Sequence, residues 1–177
     1  MREPVGVAGF MAAARAIFAA GVTEESRNAV GRLLAEMSGE PGFVPQSEMS
    51  TLHGSSSSFT LLQSDPDGLT LMLARFSPIA ETPVHDHNSW GVACVVRGRD
   101  RYRHWEAGED GRVRVLYEKV LEPGSFVTWP EPPRDIHSQQ GIDDDALELV
   151  LFGKNVAVIP RNYYDPETGE VRSALPQ

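Results

Sequence analysis

Phe10, Met11, Ala14, Ile17 and Phe18 recur at helical spacing, so the chain is predicted to open with a helix over residues 7 to 20, apolar on one face. A second helix should follow. Thr23 is its N-cap, Glu24 and Glu25 lie in the first turn where the helix dipole favours acids, and Val30, Leu33, Leu34 and Met37 form an apolar stripe. Gly39 and Pro41 stop it. Pro45 to Ser58, with four serines in a row from Ser55, reads as a polar connector.

From Phe59 the period becomes twofold, in short apolar segments broken by turn residues. Leu69, Leu71 and Leu73 alternate after Asp65-Pro66-Asp67-Gly68. Ser89 to Val96 is the most apolar segment and should end in a turn at Arg97-Gly98-Arg99-Asp100. Tyr102 to Glu106, Arg112 to Val120, Ser125 to Trp129, Ile136 to Gln140 and Leu147 to Phe152 complete the set. Strands at this spacing, with no helical pattern between them, predict a mainly β protein: two N-terminal helices (1–40) packed on a small antiparallel β-barrel (59–177), one domain over 1–177.

Composition removes several function classes. Of 177 residues, 41% are hydrophobic and 23% charged, ordinary globular usage. A single cysteine, Cys94, excludes a disulfide scaffold. With 16 basic side chains against 25 acidic, the net charge of −9 disfavours nucleic acid or an anionic membrane as partner. No run approaches the roughly 20 apolar residues of a membrane helix. Glu3, Pro4 and Arg15 break up a secretory signal, so a cytoplasmic location is expected. Exposed sheet edges leave a monomer or a homodimer open.

Three of the five histidines carry the chemistry. His85 and His87 lie in Thr82-Pro83-Val84-His85-Asp86-His87, which reads as a strand, and alternation sends positions i and i+2 to one face. His137, in Pro133-Arg134-Asp135-Ile136-His137, opens a later strand that a barrel can bring beside the first. Three neutral imidazoles could then hold a metal; Fe, Zn, Cu and Ni all suit such ligands. Asp86, between two of them, should face away and orient a neighbour. His104 reads as a strand-surface residue beyond the Gly98 turn, and His53 has no assigned role. Arg75 is a spare candidate for binding an acid.

This layout resembles the two-part signature of the cupin superfamily, whose double-stranded β-helix holds a metal between its motifs. Pro83 to Val92, Pro132 to His137 and the closing Asp165-Pro166-Glu167-Thr168-Gly169-Glu170-Val171 resemble the bacterial branch of the cysteine dioxygenase family, closer to its 3-mercaptopropionate type. The resemblance runs from about Phe59 to the C-terminus. It implies an Fe(II) held by His85, His87 and His137, and oxidation of a small carboxylated thiol to a sulfinate with O2. It also implies a carboxylate anchor at Arg161, which otherwise reads as a surface salt bridge to Asp165 or Glu167, and a pocket wall at Trp90.

The sequence departs from that family in four places. The glutamate many cupins carry after the second histidine is replaced by Gly91 or Val92. Gly91 also stands where the animal enzymes have a crosslinking cysteine; Cys94, on the opposite face, reads as a core residue. The early-strand arginine of cysteine-specific members is absent at Ser58, Phe59 and Thr60. The family's Ser-His-Tyr trio corresponds to Glu148, Val150 and Phe152, so no catalytic residue is named. A cupin metalloenzyme of another reaction type, or a non-catalytic metal- or ligand-binding cupin, stays open beside the dioxygenase.

Overall fold

The computed structural model describes residues 6–44 and 57–175, so most of the polar connector, His53 included, lies outside the described residues. Two helices come first, α1 (Val7–Phe18) and α2 (Glu24–Ser38). At the start of α2, Thr23 Oγ1 accepts from the Ser26 N–H at 3.1 Å, and the Ser26 hydroxyl accepts from the Thr23 N–H at 2.8 Å. This reciprocal cap satisfies two backbone donors that a helix terminus otherwise leaves unpaired.

Nine strands follow: β1 (Ser57–Ser64), β2 (Thr70–Phe76), β3 (Val84–His85), β4 (Gly91–Ala107), β5 (Val113–Leu121), β6 (Phe126–Trp129), β7 (His137–Phe152), β8 (Arg161–Tyr164) and β9 (Val171–Ala174). They form one sheet in the order β1-β2-β7-β3-β8-β9, while β4 pairs with β5, β6 and β7. The mainly β architecture behind two N-terminal helices is as the pattern predicts.

Three local expectations need correction. The turn expected at Arg97–Asp100 is a bulge inside β4, with register slips on either side of Arg97 against β7. Gly98 sits there at φ +74°, and a Cβ on it would lie 2.4 Å from the Asp145 carbonyl oxygen. Only glycine fits, and its freedom here bends a strand around the barrel without reversing it. Similarly, the two segments expected over 136–140 and 147–152 are one long strand, β7. The strand expected over 82–87 shrinks to the two residues of β3, and β8 and β9 were not read from the pattern at all.

Alternation along β2 sorts its side chains between two cores. Leu71 and Leu73 pack with Phe10, Met11, Ala14, Val30 and Leu34 beneath the helices. Met72, Ala74 and Phe76 face the barrel interior with Ala93, Val95, Trp129, Val150 and Phe152. β2 is therefore buried on both faces. Each fully buried large aliphatic side chain contributes about 1.5–3 kcal/mol, so the helices anchor this wall firmly.

Candidate metal centre

His85 on β3 and His137 at the start of β7 are direct register partners, and His87 lies two residues beyond His85. The ring centroids are 4.8 Å apart for His85–His87, 4.8 Å for His85–His137 and 5.0 Å for His87–His137. One nitrogen from each ring falls within 4.8 Å of the others, the one such group of metal-ligating side chains found among the described residues. All three are buried.

The backbone sets the orientation of two rings. His85 Nδ1 donates to the Pro83 carbonyl at 2.8 Å, and His137 Nδ1 donates to the Asp135 carbonyl at 2.9 Å. The second nitrogen of each ring then presents a lone pair. Asp135 also ties the two motifs together, because its carboxylate accepts from the His87 backbone N–H at 3.2 Å. Burial, helped by Asp86, pushes the Asp135 carboxyl up to about 6.

Burial also holds the imidazoles in their neutral form. His85 is pushed down to about 4 by burial and then by Arg161. His87 and His137 lie well below the usual histidine range, burial first and the neighbouring His85 next. Neutral imidazoles are the form that binds a cation, and no carboxylate belongs to the group. This donor set fits a divalent metal, which would keep its full charge there.

Aromatic rings wall the group. Phe152 lies 4.6 Å from His87, and Trp129 and Tyr102 lie 5.1 Å and 5.7 Å from His137. Trp90, expected as a wall, is elsewhere: it packs 4.7 Å from Phe18 beneath α1, in the helix-covered core. The reason is parity. Gly91 faces the barrel interior against Trp129, so the residue before it points outward.

Arg161 is not on the surface. It is 8% exposed and lines a cavity of about 340 Å³ together with His85 and Tyr163. It forms no salt bridge with Asp165, which is exposed and caps the Glu167 and Thr168 N–H groups at 2.8 and 2.9 Å, nor with Glu167. Burial lowers the Arg161 pKa from its ordinary value. Asp86 faces away from the imidazoles, as expected, and pins β8: it accepts from the Asn162 N–H at 2.9 Å, the Asn162 amide at 2.7 Å and the Tyr164 hydroxyl at 2.7 Å. The residue between two histidines thus positions the strand carrying Arg161.

Sequence reading missed Tyr163, the register partner of His85, whose ring lies 6.1 Å away. Its place two residues past Arg161, on the same strand face, was the available signal. Cys94 lies in the helix-covered core, 3.8 Å from the Ser38 hydroxyl, and burial pushes its thiol up to about 11. Arg75 is buried on the strand parity of Leu71 and Leu73, away from the barrel interior. His104 lies directly opposite His137 across β4 and β7, so no turn separates it from the site; it stacks on Tyr117 at 5.1 Å and stays outside the three-histidine group.

Glu148 and Asp100 form a second buried cluster. The Gln139 amide donates to both carboxyls, at 2.7 Å to Glu148 and 3.1 Å to Asp100. Burial pushes Asp100 up to about 7, and burial with the Asp100 charge pushes Glu148 well above the carboxylate range. A carboxyl whose folded pKa is raised binds its proton more tightly folded than unfolded. Stability is then full in acid and is lost as pH rises from about 4 through the folded value. Glu148→Gln removes one of the two like charges and keeps the shape. Its melting temperature relative to the parent should rise between pH 5 and pH 8; a difference independent of pH would show that the pair does not share a proton.

No family model matches the sequence. Solved structures do match. An oxalate oxidase bound to the substrate analogue glycolate aligns with TM-score 0.50 and 17% identity, over 66% of this chain and 62% of that one. A cupin barrel protein from Leptotrichia buccalis aligns at 0.47 and 13%, over 62% and 46% of the two chains. A cupin superfamily protein from Desulfitobacterium hafniense aligns at 0.47 and 12%, over 64% and 91%. The chain thus spans about three fifths of the oxalate oxidase, and identity this low carries the fold alone. With its antiparallel barrel behind two leading helices, and with the oxalate oxidase barrel it matches, the chain has a cupin-like fold.

Proposed function

We propose that the protein is a cytoplasmic non-haem Fe(II) dioxygenase that oxidises a small carboxylated thiol, of the cysteine or 3-mercaptopropionate class, to a sulfinate with O2. One observation carries this reading: the cavity that His85 lines also holds a buried arginine, Arg161, and, among the described residues, no acidic side chain. A cation site beside an unneutralised guanidinium fits a ligand with a thiolate at one end and a carboxylate at the other.

His85, His87 and His137 would hold the iron, which when bound supplies a Lewis acid for the thiolate and an electron source for dioxygen. The balance closes without another reactant: RSH and O2 give RSO2H, both oxygen atoms passing to sulfur. Arg161 holds the carboxylate and fixes the distance of the sulfur from the histidines. Asp86 keeps Arg161 in place through Asn162 and Tyr164. Phe152 and Trp129 keep water from the His87 and His137 rings.

A second reading, a metal-binding cupin that does not oxidise thiols, is favoured by the inner face of β7. Val150 and Phe152 there offer no proton, and Glu148 is occupied by Gln139. Oxygen uptake decides between the two. Protein loaded anaerobically with Fe(II) should consume one O2 per sulfinate formed with a carboxylated thiol, and cysteamine, which lacks the carboxylate, should be a poor substrate. Absence of uptake with every thiol offered would favour the second reading.

A further inference from the structure

Arg161 shares its cavity with a second arginine. β8 and β9 form an antiparallel hairpin in which Tyr163 faces Arg172 and Arg161 faces Ala174. All four line the same cavity of about 340 Å³, so they share one face of the hairpin. Diagonal neighbours on such a face stand roughly 7–8 Å apart, the scale of two groups on one small molecule. The Arg172 guanidinium lies over the Tyr163 ring, 5.8 Å from its centre, and that ring is 6.1 Å from His85. Arg172, Tyr163 and His85 therefore follow one another around the wall, with Arg161 on the same face of the hairpin.

Neither guanidinium is neutralised. Among the described residues no acid lines the cavity and neither arginine forms a salt bridge, although the chain as a whole carries a net charge of −9. Arg161 Nε is buried with no hydrogen-bond partner. Asp86 lies within electrostatic reach of Arg161, but its oxygens are taken by Asn162 and Tyr164. Two cations on one face of a recess, neither salt-bridged among the described residues, are a recognition element for negative charge in an acidic protein.

We propose that this cavity takes a small dianion, one carboxylate on Arg161 and a second acidic group on Arg172, so that the substrate is a dicarboxylated thiol, not a monocarboxylated one. The proposal deepens the dioxygenase reading and rests on it for the thiol; the two-anion site itself rests on the cavity alone. Arg161 is the inner contact. Arg172, exposed at the rim and steadied by Tyr163, selects for the second charge.

Calorimetric titration of the full chain, first with succinate and propionate and then with mercaptosuccinate and 3-mercaptopropionate, tests it without turnover. Each dianion should bind roughly tenfold or more tightly than its monoanion partner, the scale of one charge-assisted contact. Arg172→Gln should weaken the dianions far more than the monoanions and so erase that preference, Arg172→Lys should restore part of it, and Arg161→Gln should weaken all four ligands. Equal binding of dianion and monoanion, or equal loss of both in Arg172→Gln, would overturn the proposal. A succinate preference that survives in protein showing no thiol-dependent oxygen uptake sustains the two-anion site and removes only the dioxygenase reading.

Discussion

His137→Ala should lose most of its bound divalent metal on dialysis, and His85→Ala and His87→Ala should lose it likewise. The centre has three neutral imidazoles and no carboxylate, so each removal leaves two nitrogen donors to hold a dication. Loss of a mere outer partner of a metal ligand weakens binding about 10–100-fold; loss of the ligand itself should exceed that. His137 also packs on Trp129 and Tyr102, so truncation leaves a void among those rings. His137→Gln, which fills more of that space, separates lost ligation from lost packing. His104→Ala is the comparison, because His104 stands opposite His137 in register yet outside the group. Metal content by elemental analysis, beside thermal melting, reads the result. Equal metal in His137→Ala and His104→Ala would sink the assignment.

His85 and His87 are legible in the sequence because their geometry is local, and His137 through the barrel that the strand pattern predicts. His85 and His87 are two positions apart, and that parity survives even though the strand around them shrinks to Val84–His85. The helices were legible for the same reason, through the spacing of Phe10, Met11 and Ala14 and the Thr23 cap. What failed depended on long-range register. A glycine at positive φ serves a turn or a bulge equally well, and only the pairing of β4 with β7 reveals that Gly98 does the second. The inward-facing tryptophan could not be chosen without knowing that Gly91 faces inward. Trp90 therefore packs in the helix-covered core, and Trp129 takes the place beside the histidines that was expected of Trp90. β8 and β9 are four residues each, polar and partly exposed, and no apolar alternation marks them. Yet β8 supplies Arg161 and Tyr163, so the strand that lines the cavity beside His85 was the part least visible.

The same register explains why glycine stands at position 91, where the animal thiol dioxygenases have a cysteine, and gives a sharp test of the site's packing. A Cβ built on Gly91 would lie 2.1 Å from Cζ2 of Trp129 and 2.4 Å from its Cε2. The indole fills the space that a cysteine at this position would need. It has little freedom to retreat: it is 2% exposed, its Nε1–H donates to the Ser89 carbonyl at 3.1 Å, and Phe152 flanks it at 5.9 Å. Gly91→Ala must therefore displace the indole, whose ring lies 5.1 Å from His137. Overpacking a close-packed core costs about 1–3 kcal/mol, occasionally more, and each kcal/mol shifts the midpoint by about 2–4 °C in a domain of this size. Gly91→Ala should melt several degrees below the parent and bind metal more weakly, although it alters no ligand. Trp129→Leu in the same chain should restore much of the lost melting temperature, since it vacates the contested space. The two changes are then coupled, with the double variant more stable than the sum of the singles. A Gly91→Ala protein with parental melting and metal content would mean that Trp129 yields freely, and that the aromatic wall does not hold His137 in place.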